Sequence, residues 1–256
     1  MPMSWAGERR LFILIILGVF IAAVVAVVYI ATLYRAPSCT DGVQNEGEQG
    51  VDCGGPCTNL CTALEEPPTV LFTQAIPNGV GRTDVAALVE NKNPDAAAKA
   101  VPYTVMLYGP NQALVARVAG TLELPPSGSV PVFVPGVASG NQTVVNAFLT
   151  VDPSAVSWYR MAGDPRTLPQ VSNIALGGTT ATPAITATFT DASATALTNV
   201  KSIVFVRDAQ GNVLAASETL TPTIPAQGSA VATYTWNAPF RATPSSIEVF
   251  PAIPLP

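Results

Sequence analysis

The chain has 256 residues, of which 48% are hydrophobic and 11% charged, with a net charge of −5. This length leaves room for about two domains, and so large an apolar share excludes a disordered chain. The acidic balance, with scattered Lys92, Lys99 and Lys201 as the lysines, excludes a phosphate-reading nucleic-acid surface. Histidine is absent, which removes the Ser-His-Asp triad, the usual zinc-histidine sites and the commonest general base near neutral pH. Carboxylate pairs can act alone, yet Asp and Glu are spread thinly and fall in no recognisable catalytic pair. The expectation is a protein that is not an enzyme and has no catalytic residues.

Residues 11–33 read LFILIILGVFIAAVVAVVYIATL, without one charge. As a helix this run is about 35 Å long, enough for a hydrocarbon core of about 30 Å. A cleaved signal peptide is the competing reading. Its apolar core extends to about 15 residues and ends in small residues, whereas this run is longer and ends in Tyr34 and Arg35. Ala36, Pro37 and Ser38 form no lipobox before Cys39. The expectation is an uncleaved transmembrane signal anchor at 11–34 in a single-pass membrane protein. Arg9, Arg10 and the amino terminus precede it and Arg35 follows it, so the positive-inside rule places 1–10 in the cytoplasm and the bulk outside.

The four cysteines, Cys39, Cys53, Cys57 and Cys61, all fall in a cysteine-rich segment at 35–66. An even count beyond an exported anchor indicates two disulfides, with three pairings open. A zinc or iron–sulfur centre is the rival, and the spacing of the last three cysteines does not match the C-x2-C pairs of common zinc modules. Asp41, Asn45, Glu48 and Asp52 lie between the cysteines, among Gly42, Gly47 and Gly50. Closely spaced oxygens in a glycine-rich loop suit calcium, a hard cation that takes about 6–8 oxygen ligands. The spacing differs from the EF-hand pattern, and a solvated acidic loop held by disulfides is the alternative.

Beyond Glu65-Glu66-Pro67-Pro68, a stiff boundary, the sequence repeats. Leu114, Pro125, Gly128 and Ser129 return one hundred positions later as Leu214, Pro225, Gly228 and Ser229, and ALVARVAGTLELPPSGSV aligns with VLAASETLTPTIPAQGSA without a gap. Alternating β-branched runs bounded by turn residues predict strands at 85–89, 102–108, 114–118, 130–134 and 144–151, then at 185–189, 201–207, 213–216 and 230–236. The proline-rich end suits an edge strand or tail. The fold class is therefore mainly β: an N-terminal transmembrane helix followed by two tandem antiparallel immunoglobulin-like β-sandwiches, at 67–152 and 169–256, joined by a linker at 153–168. Tyr103, Phe189, Phe205, Tyr234 and Trp236 read as core. Trp158, Tyr159 and Arg160 fall in the linker and read as an interdomain packing plug or an interaction site. Asn141-Gln142-Thr143 matches a glycosylation sequon.

Two resemblances follow from these residues. The run C-x-D-G-x-x-N-x-x-E-x-x-x-D-C-G-G-x-C-x-x-x-C resembles a short cysteine motif of exported, surface-exposed microbial proteins, with one extra residue between Cys57 and Cys61; it implies exposure outside the membrane. YTVMLYGPNQALV and IVFVRDAQGNVLA are similar to the F-x-L-Y-D signature of immunoglobulin-like sandwiches related in shape to the late-embryogenesis-abundant type 2 fold. Such domains recur behind single membrane anchors, notably in bacteria of the candidate phyla. Gly109 stands where that signature has Asp, and the resemblance implies no catalytic residues.

Three functions are consistent with this reading. The first is a cell-surface interaction or adhesion module with a protein or cell-envelope partner, binding through end loops or edge strands. Its candidate loops are 76–82, 91–99, 191–199 and 208–212. The second is a structural accessory subunit of an envelope, pilus or secretion complex. The third is a solute-binding or enzymatic cleft between the modules.

Overall fold

Apolar side chains offer nothing to compete with backbone hydrogen bonding, and Trp5–Thr32 forms one α-helix, α1, in the computed structural model. The structure describes residues 5–32, 38–45, 47–79, 81–140 and 142–256. Leu33 and Tyr34 at the end of the expected anchor, Arg35 just after it, Val80 of the first candidate loop and Asn141 of the sequon lie outside these. Within α1, Gly7–Thr32 is long and apolar enough to cross a membrane, and none of its most apolar stretch is buried by protein. It has no polar stripe, unlike the half-polar surface helix of a globular protein. The Arg9 guanidinium lies 3.8 Å from the centre of the Trp5 ring.

The chain divides into two units, Met1–Cys57 and Thr58–Pro256. The second holds all the strands named below. The first sandwich comprises β1 (Thr69–Pro77), β2 (Arg82–Glu90), β3 (Ala96–Tyr108), β4 (Leu114–Leu124), β5 (Ser129–Ser139) and β6 (Asn146–Val151). A short β7 (Trp158–Arg160) adds to it. The second sandwich comprises β8 (Gln170–Gly178), β9 (Pro183–Thr190), β10 (Leu197–Arg207), β11 (Val213–Ile224), β12 (Ser229–Thr235) and β13 (Ser246–Ala252). Sheets run β1-β2-β5 and β4-β3-β6 in the first, then β8-β9-β12 and β11-β10-β13 in the second. All pairings are antiparallel, and the second order repeats the first strand for strand. The expected mainly-β architecture is thus present, with the proline-rich end serving as edge strand β13.

The hundred-residue echo has a physical basis in one turn. Ser127 and Gln227 both adopt positive φ, 47° and 52°. The next residue must be glycine, because a Cβ on Gly128 would sit 2.8 Å from Pro125 Cγ, and one on Gly228 would sit 2.9 Å from Pro225 Cβ. Proline fixes one side of the turn and glycine makes room for it. The turn then caps its neighbour: Asn91 N donates to Gly128 O and Ser127 N to Asn93 O, as Asp191 N donates to Gly228 O and Gln227 N to Ser193 O.

Each sandwich has its own core. In the first, Val85, Val89, Val105, Leu107 and Leu124 pack with Trp158. In the second, Ile185, Phe189, Val204, Tyr234 and Trp236 do so. A third cluster joins them. Ile76 and Ala86 on the outer face of β1-β2-β5 meet Ile203, Phe205, Val213 and Ala216 on the outer face of β11-β10-β13, with Phe72, Leu88, Phe133 and Phe250 around them. The two sandwiches are therefore packed sheet on sheet. This is why β2 and β10 are buried on successive residues instead of alternately, the pattern of a strand covered on both faces.

Candidate functional site

In the N-terminal unit, Cys39 and Cys57 form a disulfide with Cα atoms 5.7 Å apart. Cys53 and Cys61 are disulfide-bonded too, and none of the cysteines is free. Two disulfides are thus present, as expected. Glu48 is buried, and its Oε1 lies 3.1 Å from Cys57 Sγ. An oxidised sulfur carries no proton, so this is a packing contact and not a hydrogen bond. Cys39, Glu48 and Cys57 cluster tightly, but a disulfide offers no thiolate to a metal.

The four oxygen-bearing residues singled out as calcium ligands are brought together. Asn45 Nδ2 donates to Asp41 Oδ2 at 3.0 Å. Asn45 N and Asp52 N donate to Glu48 Oε2 at 3.4 and 3.2 Å. Gly42 N donates to both oxygens of Asp52, at 3.1 and 3.0 Å, and Val43 N donates to Asp41 Oδ1 at 2.9 Å. Each carboxylate thus closes a turn by accepting backbone N–H groups, the work Asp and Asn do in Asx turns. Asn45 Oδ1 alone of this set is buried without a hydrogen-bond partner among the described residues.

Trp158, Tyr159 and Arg160 form β7, which pairs with Ala96–Ala98 of β3. On its other side Leu60 N donates to Trp158 O and Arg160 N to Thr58 O. Trp158 is buried in the core of the first sandwich, while Tyr159 has Lys99 Nζ 5.7 Å from its ring centre. Burial, together with nearby Glu123, pushes the Tyr159 hydroxyl pKa up. Part of the expected linker is therefore a strand of the first sandwich.

The junction of the sandwiches uses residues that sequence reasoning did not single out for it. Phe205 sits 5.8 Å from Phe72 and 5.3 Å from Phe250, ring centre to ring centre. Arg207 caps this cluster, its guanidinium 4.9 Å from the Phe72 ring centre, and is held by Glu248 at 3.1 Å. Gln74 Oε1 accepts from Val213 N across the junction at 3.0 Å. A sequence signal existed: VAALV in β2 and SIVFV in β10 are continuous runs, not alternating ones.

Beside the junction runs a groove of about 820 Å³, walled by Tyr103, Phe133 and Leu220 and crossed by charged groups. These charges are paired. Arg166 grips Asp164 through Nε at 2.8 Å and Nη2 at 2.6 Å, which holds the Asp164 pKa below its usual value. Lys201 meets Glu218 at 2.8 Å. Burial, and then Glu218, push Tyr103 up. Arg166 Nη1 also donates to Ile253 O at 2.6 Å, Glu123 Oε2 accepts from Leu255 N at 2.7 Å, and Lys99 Nζ contacts Pro256 O. The chain's last residues are thereby fastened to the first sandwich.

The candidate loops are well tied. Ile76 belongs to the junction. Asp84, buried beside loop 76–82, accepts from Asn78 Nδ2 at 2.6 Å, Arg82 Nε at 3.0 Å and Gly136 N at 2.6 Å. In 91–99, Asn91 and Asn93 are buried, and Asn93 exchanges hydrogen bonds with the backbone of Glu66. In 208–212, Asp208 accepts from Gln210 N at 2.9 Å and Asn212 N at 2.8 Å. The matching loop has Gly109 because a Cβ there would meet Thr143 O at 2.9 Å and Val115 Cγ2 at 3.2 Å. Asn111 and Gln112 instead turn it with φ of 56° and 60°.

No protein-family model matches the chain, and no curated protein matches it. Among solved structures it is similar to a red sea bream transglutaminase, at 11% identity over 73% of this chain and 29% of that one, with a TM-score of 0.24. It is also similar to a beta-glucuronidase from glycoside hydrolase family 2, at 11% identity over 82% of this chain and 26% of that one, with a TM-score of 0.22. The chain spans less than a third of either protein, and likenesses at this level carry nothing about activity.

Proposed function

We propose that the chain is a single-pass membrane protein, anchored by α1 with its N-terminus in the cytoplasm, whose extracytoplasmic sandwiches form a non-catalytic surface-interaction module. The reading rests chiefly on the junction: two sandwiches sharing the Phe72–Phe205–Phe250 cluster make a stiff platform, suited to presenting a surface. The anchor is supported by the length of Gly7–Thr32, the orientation by Arg9 and Arg10 before it, and export by oxidised cysteines. A binding role suits the groove better than catalysis does, because its Asp164 and Glu218 are held by cations. The F-x-L-Y-D type of sandwich is part of this proposal, supported by the hairpin loops 109–113 and 208–212 between β3 and β4 and between β10 and β11.

The test is binding by the full chain. Reconstituted in liposomes, the protein should capture labelled cell-envelope fragments saturably, beyond protein-free liposomes. Absence of saturable capture would remove the adhesion reading. Recovery instead in a stable multiprotein complex after gentle detergent extraction would favour the accessory-subunit reading.

A further inference from the structure

Near the turn between β1 and β2 the junction opens into a cleft of about 700 Å³, lined among others by Gln74, Arg82, Thr143 and Asn146 of the first sandwich and Arg241 of the second. Gln74 pairs with Ala86, and strand alternation puts Arg82 and Asp84 on the same face as Ala86, the face against which the second sandwich packs. The charged side chains lining this cleft are both arginines, on a chain whose net charge is −5. No carboxylate lines it among the described residues.

Arg82 is held from behind. Its Nε donates to Asp84 Oδ1 at 3.0 Å, and buried Asp84 is itself fixed by Asn78 Nδ2 and Gly136 N. Both Nη groups of Arg82 are left without a partner among the described residues, and about half of its side chain is exposed. A guanidinium gripped through Nε presents its two Nη groups as a fork that matches the oxygens of a carboxylate or phosphate. Arg241 is exposed and makes no hydrogen bond or ion pair among the described residues. Phe240, just before it, stacks on Trp236 with ring centres 5.1 Å apart, which steadies the backbone that carries it. Arg166 and Arg207, by contrast, are matched by Asp164 and Glu248. The repeat supplies a second argument. Arg82 and Asp84 correspond to Thr182 and Ala184, and register agrees, since Asp84 pairs with Ile76 of β1 as Ala184 pairs with Gly177 of β8. Burying a carboxylate is costly, and the second sandwich forms the same strand without one. The scaffold therefore does not require Asp84; the fixed position of Arg82 does.

We propose that this cleft binds an acidic saccharide, with Arg82 and Arg241 taking its carboxylate or phosphate and the amides and hydroxyls around them taking its ring hydroxyls. Two arginines against one buried carboxylate leave the cleft with an excess positive charge, which selects an anion. Gln74 Oε1 is committed to Val213 N, which leaves its Nε2 as a donor, while Asn146 and Thr143 can each donate and accept. Such a mixed lining suits a ligand that carries hydroxyls beside its charge. The volume lies within the range of about 300–1,000 Å³ usual for small-molecule sites, and it holds one or two sugar rings. The proposal names a ligand class for the interaction reading above and rests on that reading.

The experiment is calorimetric titration of the full chain in detergent micelles with digalacturonate, glucose 1-phosphate and neutral lactose. At least one of the two acids should bind with a dissociation constant below about 1 mM at low salt, weakening as salt is raised, and lactose should bind at least tenfold more weakly. Which acid binds distinguishes a carboxylate from a phosphate. Arg241→Ala should weaken binding at least tenfold, and because Arg241 is exposed and unbonded, its melting curve should be unchanged. Arg82→Lys keeps the charge beside Asp84 but loses the fork, and should weaken binding as well. Arg117→Ala, on β4 and outside the cleft, should bind as wild type does. Binding of neither acid would overturn the proposal. So would lactose binding as tightly as the acids, or an Arg241→Ala variant that binds like wild type. Envelope capture that persists in Arg241→Ala and that neither acid competes away would sink this site and leave the interaction reading standing. Saccharide binding without envelope capture would uphold the site and remove the adhesion reading instead.

Discussion

At the scale of single residues, the repeat sets Asn91 against Asp191. Both are buried and both accept the N–H two residues on, from Asn93 and Ser193. Asn91 Nδ2 also donates to Ala96 O and Pro125 O. Asp191 has an oxygen in place of that NH2 group, and its Oδ2 is buried without a hydrogen-bond partner among the described residues. An orphaned buried polar atom costs about 1–3 kcal/mol. Asp191→Asn should therefore stabilise the protein by about 1 kcal/mol or more, read as a rise in melting temperature; an unchanged or lower value would show that the carboxylate has a purpose there. Tyr234 is a second case. Burial pushes its hydroxyl pKa up to about 12, with the Ser202 hydroxyl pulling against this. A pKa raised by folding contributes stability that is complete below the unfolded value of about 10 and is lost as pH rises through the folded value. The second sandwich should thus weaken steeply above about pH 10. Tyr234→Phe should abolish that alkaline limb while costing about 1 kcal/mol at neutral pH for the lost Ser202 bond.

Single elements show what sequence could and could not convey. The disulfides and the gathering of Asp41, Asn45, Glu48 and Asp52 were legible, because a short glycine-rich loop brings near neighbours together whatever the rest of the chain does. Their employment was not legible, since a carboxylate that closes a turn and one that binds a cation look alike in sequence. With three carboxylates already accepting backbone N–H groups, a chelator should leave the melting transition of the full chain unchanged. A fall would instead show a cation held among Asp41, Asn45, Glu48 and Asp52, with Asn45 Oδ1 as one of its ligands. Strands followed the same division. Those with one wet face alternate and were found, β9 among them. β1, β7 and β8 escaped: Trp158 reads as a linker aromatic until Ala96–Ala98 are known to lie beside it. β2 and β10 were found, but their continuous apolar runs announced a second covered face that was not read.

At the scale of the sandwich pair, that second face decides how the protein unfolds. Phe205 belongs to the second sandwich by chain and to the junction by contact, and it is fully buried. Removing a buried Phe side chain costs about 3–5 kcal/mol, and here the loss falls on both sandwiches together. Trp158 sits in the first core and Trp236 in the second, so variants that lack Trp5 and keep one of these two report each sandwich separately. With the junction otherwise intact the two reporters should melt together, as cooperative units sharing a core do. Phe205→Ala should separate them, with the Trp236 transition coming first, whereas Phe189→Ala, confined to the second core, should lower both while keeping them closer. Acid supplies an orthogonal route. Asp164 is held below its ordinary pKa by Arg166, so its contribution is present above the unfolded value of about 4 and is lost as pH falls through the folded one. Arg166 also grips Ile253. Its release should therefore loosen the C-terminal end from the first sandwich before either core opens, seen as exchange of the Leu255 amide rising below about pH 4 while both tryptophan signals hold. Two separate transitions in wild type at neutral pH would mean that the junction does not couple the sandwiches at all.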